Sequence, residues 1–213
     1  MNLPKGRKAI KNYWVFNIKS DGYYRSWLVA KKFSQIDRID FDELFSPVVC
    51  YKTVHLFLAV VALEDWNIHS VDVKTAYLYG DLDKKIYIEQ PKGFRLPDKK
   101  KKVSWLYKTL YSLKQAGLSW WWTMTKLMLT LGFKQYKYDA DVHYFIDKKT
   151  KELVIAIVYV DDICFMSSKD SLLLLELKQK FMIKWECYDL GKTKEFIRMC
   201  INCNCKDQKI FVD

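Results

Sequence analysis

Alternating apolar and polar residues predict that much of this 213-residue chain forms short β-strands. One pair of such runs is separated by the turn signal Ser20-Asp21-Gly22 and another by the polar segment DKKTKE, so we expect two hairpins. The segment NIHSVDV and two runs near the C-terminus have the same pattern. The predicted strands are 13–19, 24–31, Asn67–Val73, 86–88, 142–146, Leu153–Tyr159, 196–202 and Lys209–Val212.

Three longer segments have helical spacing. The segment 53–64 begins at Thr53, a favourable N-cap, and 116–131 is followed by Gly132 as a C-terminal stop. The third is expected to begin at Ser168, another N-cap, and to run to about Trp185. Elements in this order predict an α+β fold with a mostly antiparallel sheet that helices cover on one face.

Two adjacent carboxylates interrupt the most apolar part of the chain. In LVIAIVYVDDICFM, runs rich in Val and Ile lie on both sides of Asp161 and Asp162, which predicts a hairpin with both carboxylates at its tip. Negative charges at the end of buried strands are unfavourable unless a cation lies nearby, and a divalent metal with oxygen ligands meets that need. Ordinary turn chemistry, which also favours Asp, explains the pair equally well at this point.

A third carboxylate, Asp72, lies at the end of the predicted strand Asn67–Val73. Three carboxylates meet at one sheet end if this strand lies beside the Asp161-Asp162 hairpin. Such a set can hold two Mg²⁺ ions, which clamp the attacking and leaving oxygens of an in-line phosphoryl displacement. Nucleotidyl transfer is therefore a candidate reaction.

The formal net charge of +11 and the pI near 9.2 indicate a polyanionic partner, either nucleic acid or an acidic membrane. No apolar stretch is long enough to span a bilayer, and the basic N-terminus lacks the apolar core of a signal peptide, so we expect a soluble intracellular protein. The cysteines are then expected to be mainly free thiols. Three of them form C-x-x-C-x-C, where alternation indicates a strand more than a zinc site.

Longer motifs follow one another in a fixed order: WVFNIKSDGYYRSWLVAKKFSQ, IDFDELFSPVV, SVDVKTAYLYGDLDKKIYIEQPKGF, LYKTLYSLKQAGLSW and IVYVDDI. Together they resemble the reverse transcriptase domain of Ty1/copia-type LTR retrotransposon Pol polyproteins. The resemblance implies one domain over 3–213, with fingers-like parts at about 3–66 and 80–115 and palm-like parts at about 67–79 and 116–213. A thumb is expected to be missing or truncated, and no segment resembles the protease, integrase or RNase H of such polyproteins.

The resemblance implies that Asp72, Asp161 and Asp162 are the catalytic ligands of two Mg²⁺ ions, with Mn²⁺ as a possible substitute. The backbone carbonyl of Val73 is an additional expected ligand. An aromatic residue five positions after the first Asp, here Tyr77, is expected to lie under the sugar of the incoming nucleotide and to clash with a 2′-hydroxyl. An ordinary core aromatic is the alternative for Tyr77.

Four further residues acquire expected roles from the same resemblance. Gln115 corresponds to the nucleotide-contacting glutamine, and Lys19 and Arg25 on the first hairpin are expected to approach the triphosphate. Tyr159 is expected to pack against the primer or template end, or only to fill the sheet face.

Several positions depart from the family pattern. Trp27 replaces an Arg, AGLSW replaces APRAW, Lys32 and Ser112 replace glycines, and Ile197-Arg198 replaces Leu-Gly. Loss of a glycine is costly where φ is positive or where backbone approaches closely.

The first expected function is that of an RNA-directed DNA polymerase domain, which takes an RNA template, a DNA primer and dNTPs. Such a protein acts in the cytoplasm, in virus-like particles in this family, or in the nucleus. A truncated remnant that binds nucleic acid without catalysis, and a product without function, are the alternatives.

Overall fold

The computed structural model describes residues 1–18, 22–97, 102–204 and 209–212. Two compact units are present: the first contains Met1–Ser46 and Tyr77–Thr123, and the second contains Pro47–Ala76 and Met124–Asp213. The chain therefore changes unit after residues 46, 76 and 123. In chain order the strands and helices are β1 (Asn12–Ile18), β2 (Tyr24–Ala30), α1 (Tyr51–Leu63), β3 (Asn67–Val73), β4 (Asp81–Glu89), β5 (Val103–Lys108), α2 (Ala116–Thr130), β6 (Lys134–Tyr136), β7 (Asp139–Ile146), β8 (Leu153–Tyr159), β9 (Asp162–Ser167), α3 (Leu172–Met182), β10 (Cys187–Lys192), β11 (Glu195–Phe196), β12 (Met199–Asn204) and β13 (Lys209–Val212).

The first unit contains two antiparallel hairpins, β1–β2 and β4–β5. Ile10 connects them, because its N–H donates to the carbonyl of Tyr87 at 2.7 Å and its carbonyl accepts from the N–H of Glu89 at 3.0 Å. A small apolar core forms around this connection and includes Ile10, Ala30, Ile86, Leu113 and Ala116. The predicted first hairpin is confirmed, whereas β4 is longer than the predicted 86–88 and β5 was not predicted.

The second unit is built on a six-stranded sheet with the order β10-β3-β9-β8-β7-β6, in which every neighbouring pair is antiparallel. A separate three-stranded sheet follows it, with the order β11-β12-β13. The prediction of a mostly antiparallel sheet is confirmed. Strands β3 and β8 have the predicted bounds. Apolar and polar residues alternate along β3, and β8 is apolar without interruption.

Helices pack on both faces of the six-stranded sheet, so the prediction that they cover one face is wrong. Val54 and Leu58 of α1 pack with Ile157 and neighbouring side chains of one face. On the opposite face, the ring of Phe165 lies 5.7 Å from that of Phe181 in α3. The central strands β8 and β9 are apolar on both faces, and each face therefore needs a cover.

Two predicted helix starts are wrong, although all three helices exist. Helix α1 begins at Tyr51 after Cys50, not at Thr53, and no side chain caps it. Helix α3 begins after Ser171, whose Oγ accepts from the N–H of Leu174 at 2.9 Å. Ser171 satisfies the free N–H of the first turn, so the earlier Ser168 is not needed as a cap. Gly132, with φ 91°, follows the end of α2 as predicted.

Backbone conformation at the replaced glycines divides them into two groups. Ser112 has φ 63°, and Ile197 and Arg198 form the β11–β12 turn with φ 53° and 62°. Lys32 instead lies in a short 3-10 helix, Lys32–Ser34, and is not among the residues with positive φ. The expected cost of losing glycine therefore applies at Ser112 and in the β11–β12 turn but not at Lys32.

Cys200 and Cys203 lie on β12, as the alternation predicted, and Cys205 lies outside the described residues. Across 1–18, 22–97, 102–204 and 209–212, none of the helices has both the length and the apolar character needed to cross a bilayer.

Candidate active site

Two of the predicted catalytic carboxylates face each other across neighbouring strands. Asp72 on β3 is the direct partner of Asp162 on β9 in the antiparallel register. The N–H of Val73 donates to the carbonyl of Asp161 at 2.8 Å, which continues this pairing into the β8–β9 turn. The predicted meeting of Asp72 with the Asp161-Asp162 hairpin at one sheet end is present in the fold.

The turn that carries Asp161 is strained at Val160. This residue has φ 56°, a left-handed conformation that β-branched side chains rarely adopt. Such a residue costs on the order of 1–3 kcal/mol, and the strands on either side must supply that energy. Strands β8 and β9 are well suited to do so, because Val158 and Ile163 next to the turn are almost fully buried.

A row of four side chains crosses the sheet at this end. Tyr188 on β10 is opposite Asp72, Asp72 is opposite Asp162, and Asp162 is opposite Tyr159 on β8. Directly opposed residues of antiparallel strands place their side chains on the same face. The two carboxylates are therefore flanked by two tyrosines, and Tyr159 lies where the prediction put it, beside the aspartates.

Negative charge accumulates around Asp162. Burial raises the pKa of Asp162 to about 6, and the charges of Asp161, Asp72 and Glu195 add to this effect. Burial, followed by the charge of Asp72, also raises the pKa of the Cys187 thiol to about 11. A cation bound among these carboxylates would lower the energy of their ionised forms.

The donor chemistry of this site suits a hard divalent cation, because carboxylate and carbonyl oxygens are the ligands that Mg²⁺ prefers. Among the described residues, however, no set of three or more His, Cys, Asp and Glu side chains is already arranged to hold a metal ion. Side-chain rotation of the aspartates would have to complete such a site.

The other predicted nucleotide-binding residues belong to the first unit. The guanidinium of Arg25 lies 5.9 Å from the ring centroid of Trp27, and the ring of Tyr77 lies edge-on to Tyr111 at 5.5 Å and packs against the small core. This packing agrees with the alternative of a core aromatic, and the predicted sugar contact of Tyr77 stays a prediction. Lys19 lies outside the described residues.

Gln115 is buried in a polar network. Its Nε2 donates to the carbonyl of Asp40 at 2.7 Å, and its Oε1 accepts from Nε2 of Gln35 at 2.9 Å. Asp40 in turn forms an ion pair with Arg7 at 3.1 Å. The amide of Gln115 thus positions the start of α2, and its predicted nucleotide contact stays a prediction.

Four residues near the carboxylates were not predicted from the sequence. Lys74, Glu186 and Tyr188 form a cluster at the paired ends of β3 and β10, and Glu195 contributes charge to Asp162. Strand β10, with the sequence CYDLGK, has no apolar alternation that would have predicted it. Only the position of Lys74 two residues after Asp72 offered a signal.

Comparison with known proteins agrees with this geometry. The family model "Reverse transcriptase (RNA-dependent DNA polymerase)" matches residues 1–211. The chain belongs to this family, and the predicted resemblance is confirmed.

Its relatives include retrovirus-related Pol polyproteins of plant transposons. The chain is 38% identical over 206 residues to the polyprotein from transposon TNT 1-94 of Nicotiana tabacum. The aligned region covers 94% of the chain and 15% of that polyprotein. It is 36% identical over 179 residues to the polyprotein from transposon RE1 of Arabidopsis thaliana. This aligned region covers 80% of the chain and 12% of that polyprotein. The chain thus corresponds to a small part of the length of these relatives.

Proposed function

We propose that this chain catalyses RNA-templated DNA synthesis. The oxygen of a primer 3′-hydroxyl forms a bond to the α-phosphorus of a dNTP, the bond from that phosphorus to the bridging oxygen breaks, pyrophosphate leaves and the hydroxyl proton passes to water. Membership of the reverse transcriptase family supports this reaction. The observation that carries the proposal is the register that puts Asp72 opposite Asp162, with Asp161 in the adjoining turn.

Asp72, Asp161 and Asp162 would hold two divalent ions, Mg²⁺ or Mn²⁺, together with the backbone carbonyl of Val73. Bound there, such ions supply positive charge that stabilises the attacking and leaving oxygens. Tyr159, half-buried beside Asp162, would contact the primer or template end.

The fingers-like parts are proposed at about 3–66 and 80–115 and the palm-like parts at about 67–79 and 116–213. The first compact unit contains most of the former and the second most of the latter. Arg25 and Lys19 would bind the triphosphate, Gln115 would help to shape the nucleotide site, and Tyr77 would exclude a 2′-hydroxyl. These assignments rest on the family resemblance.

An exposed aromatic surface on the β1–β2 hairpin supports a nucleic-acid partner. Phe16 is 75% exposed and Tyr24 is 78% exposed, and the rings of Trp14 and Phe16 are stacked with centroids 6.4 Å apart. Aromatic rings of this kind stack on unpaired bases, and the net charge of +11 attracts phosphates. This combination fits a nucleic acid with unpaired bases, and the family resemblance makes an RNA template with a DNA primer the proposed partner.

Template-dependent incorporation tests the proposal. The chain is incubated with an RNA template, a labelled DNA primer, Mg²⁺ or Mn²⁺ and one dNTP at a time. We expect extension only with the dNTP that is complementary to the next template base. Extension without regard to template, or none with any dNTP, contradicts the proposal.

A second candidate, nucleic-acid binding without catalysis, is favoured by the positive φ of Ser112, Ile197 and Arg198. Each of these residues costs the fold on the order of 1–2 kcal/mol relative to glycine. This candidate predicts salt-sensitive binding of an RNA–DNA hybrid that Asp162→Asn does not reduce, together with no incorporation by the parent chain.

A further inference from the structure

Lys74 is held at the edge of the carboxylate row by Glu186, the residue before β10, and by Tyr188 on β10. Its N–H donates to the carbonyl of Glu186 at 2.9 Å, which continues the β3–β10 pairing by one residue. Its ammonium forms an ion pair with the Glu186 carboxylate and lies 4.2 Å from the centroid of the Tyr188 ring. A lysine side chain with these partners is charged at neutral pH.

The ammonium of Lys74 lies on the same face of the sheet as the aspartates. Tyr188 is the direct partner of Asp72, so their side chains share a face. Because the ammonium lies over the Tyr188 ring, it shares that face as well. Two residues of a strand span about 6.6 Å of backbone, so Lys74 and Asp72 are neighbours on this face of the sheet.

The charge balance of the site gives this cation a role. Asp72, Asp161, Asp162 and Glu195 make the face strongly negative, and a triphosphate would add further negative charge. Lys74 brings a positive charge to this end of the sheet. Because the side chain of Glu186 is 68% exposed, the ammonium can exchange Glu186 for another anion at low cost.

We propose that Lys74 binds the β- and γ-phosphates of the incoming nucleotide, the part that leaves as pyrophosphate. Glu186 and Tyr188 keep the ammonium in position until the triphosphate binds. The ion pair with Glu186 then breaks, and the ammonium binds the phosphates. This inference rests on the proposed polymerase function, and it assigns to the second unit a phosphate contact of its own.

A purely structural clamp between β3 and β10 would use the same three residues, but the two roles respond differently to substitution. A clamp needs both members of the ion pair, so loss of either one has the same effect. A phosphate contact needs only the lysine, and loss of the glutamate releases the ammonium for the phosphate.

Binding of dTTP to the full chain on an RNA template with a dideoxy-terminated DNA primer tests the inference, because no chemistry can occur. Lys74→Met keeps the alkyl stem over Tyr188, and Glu186→Gln keeps the shape of the partner. Lys169→Met is the matched control, since Lys169 forms a 2.7 Å surface ion pair with Asp65 in the same unit. Thermal melting of each variant is measured alongside.

We expect Lys74→Met to weaken dTTP binding by on the order of ten- to hundredfold, the loss of one charged hydrogen bond to phosphate. Binding by Glu186→Gln is expected to be unchanged or tighter, and Lys169→Met to match the parent. Lys74→Met and Glu186→Gln should melt within a few degrees of each other.

Equal dTTP affinity of Lys74→Met and the parent, equal weakening by Lys74→Met and Glu186→Gln, or no dTTP binding by the parent overturns the inference. The polymerase function is judged separately by primer extension with an unblocked primer. If the chain extends primers but Lys74→Met does not change its dTTP affinity, the polymerase function stands and only the role of Lys74 is contradicted.

Discussion

Asp72 and Asp162 are direct partners on neighbouring antiparallel strands, although they are about 90 positions apart in the sequence. The register leaves little freedom in their placement, because a slip of one residue would turn one carboxylate to the opposite face. Apolar neighbours fix the register, since Ile68 and Met166 on the same two strands are buried under α1. The core therefore specifies the position of the candidate active site.

Divalent ions are expected to stabilise the chain through this pair. Mg²⁺ or Mn²⁺ binds only the folded arrangement, so a saturating concentration, about a hundred times Kd, should add roughly 2.7 kcal/mol to the free energy of unfolding. Asp72→Asn and Asp162→Asn should abolish the increase in melting temperature. Asp170→Asn, a control on an exposed turn with φ 59°, should respond to the ions as the parent does. Equal stabilisation of all these proteins would contradict a metal site at the aspartates.

Restoring glycine should stabilise the chain where φ is positive. Ser112→Gly and Arg198→Gly are each expected to raise the free energy of unfolding by about 0.5–1 kcal/mol, because glycine adopts φ 63° and 62° without strain. Lys32→Gly is the matched control and should be neutral or destabilising, as Lys32 lies in a 3-10 helix. Urea denaturation measures all three. Stabilisation by Lys32→Gly equal to that of the other two would rule out backbone strain as the cause.

His143 should make the chain lose stability in mild acid. The side chain is fully buried, and burial lowers its pKa to about 4 against a smaller upward effect of the Asp141 backbone. Between pH 6.5 and 4 this imidazole binds a proton in the unfolded state but not in the folded state, so its own contribution to stability falls by roughly 3 kcal/mol through this window.

Replacement of His143 tests this pH dependence. Between pH 6.5 and 4, the stability of His143→Leu relative to the parent should rise by roughly 3 kcal/mol, because only the parent carries the buried imidazole. Asp162, whose pKa is raised to about 6, contributes the opposite slope to both proteins and cancels in this difference. His55→Gln on the exposed side of α1 should leave the profile unchanged. The explanation fails if His143→Leu and the parent have parallel profiles.

An ion pair between α3 and β10 should respond asymmetrically to substitution. Lys178 is almost fully buried and lies 2.7 Å from Asp189, which is half exposed. Asp189→Asn leaves a buried cation without its counter-charge and should cost about 2 kcal/mol, whereas Lys178→Met should cost less than about 1 kcal/mol. The exposed Glu176–Lys180 pair of the same helix is the control, and its loss should cost at most about 0.5 kcal/mol. Equal costs for Asp189→Asn and Lys178→Met in thermal denaturation would contradict this account.

The sequence reasoning succeeded where local pattern decides the structure. Strand β3 has the predicted bounds because apolar and polar residues alternate along it, and β8 because its Val and Ile run is continuous. The β8–β9 hairpin puts Asp161 and Asp162 at its turn as expected. It failed where a distant contact decides. Strand β10 forms only because β3 offers it an edge, and the Lys74–Glu186 pair joins residues 112 positions apart.

The chemistry of the site divides in the same way. The aspartates could be found from the motif, whereas Glu195 could not, because it lies on β11 and only its charge acts on Asp162 through space. The burial of Gln115 with Gln35 and Asp40 likewise depends on contacts that span seventy-five or more positions. Local alternation carries no information about such partners.

Single-nucleotide incorporation on an RNA template tests the central claim most directly. The parent chain is compared with Asp72→Asn, Asp161→Asn, Asp162→Asn and the control Asp170→Asn, with Mg²⁺ or Mn²⁺ and the complementary dNTP. The account predicts incorporation by the parent and the control, and no detectable incorporation by the other three variants, provided that all five proteins melt cooperatively. No incorporation by the folded parent, or equal incorporation by the three active-site variants, would contradict it.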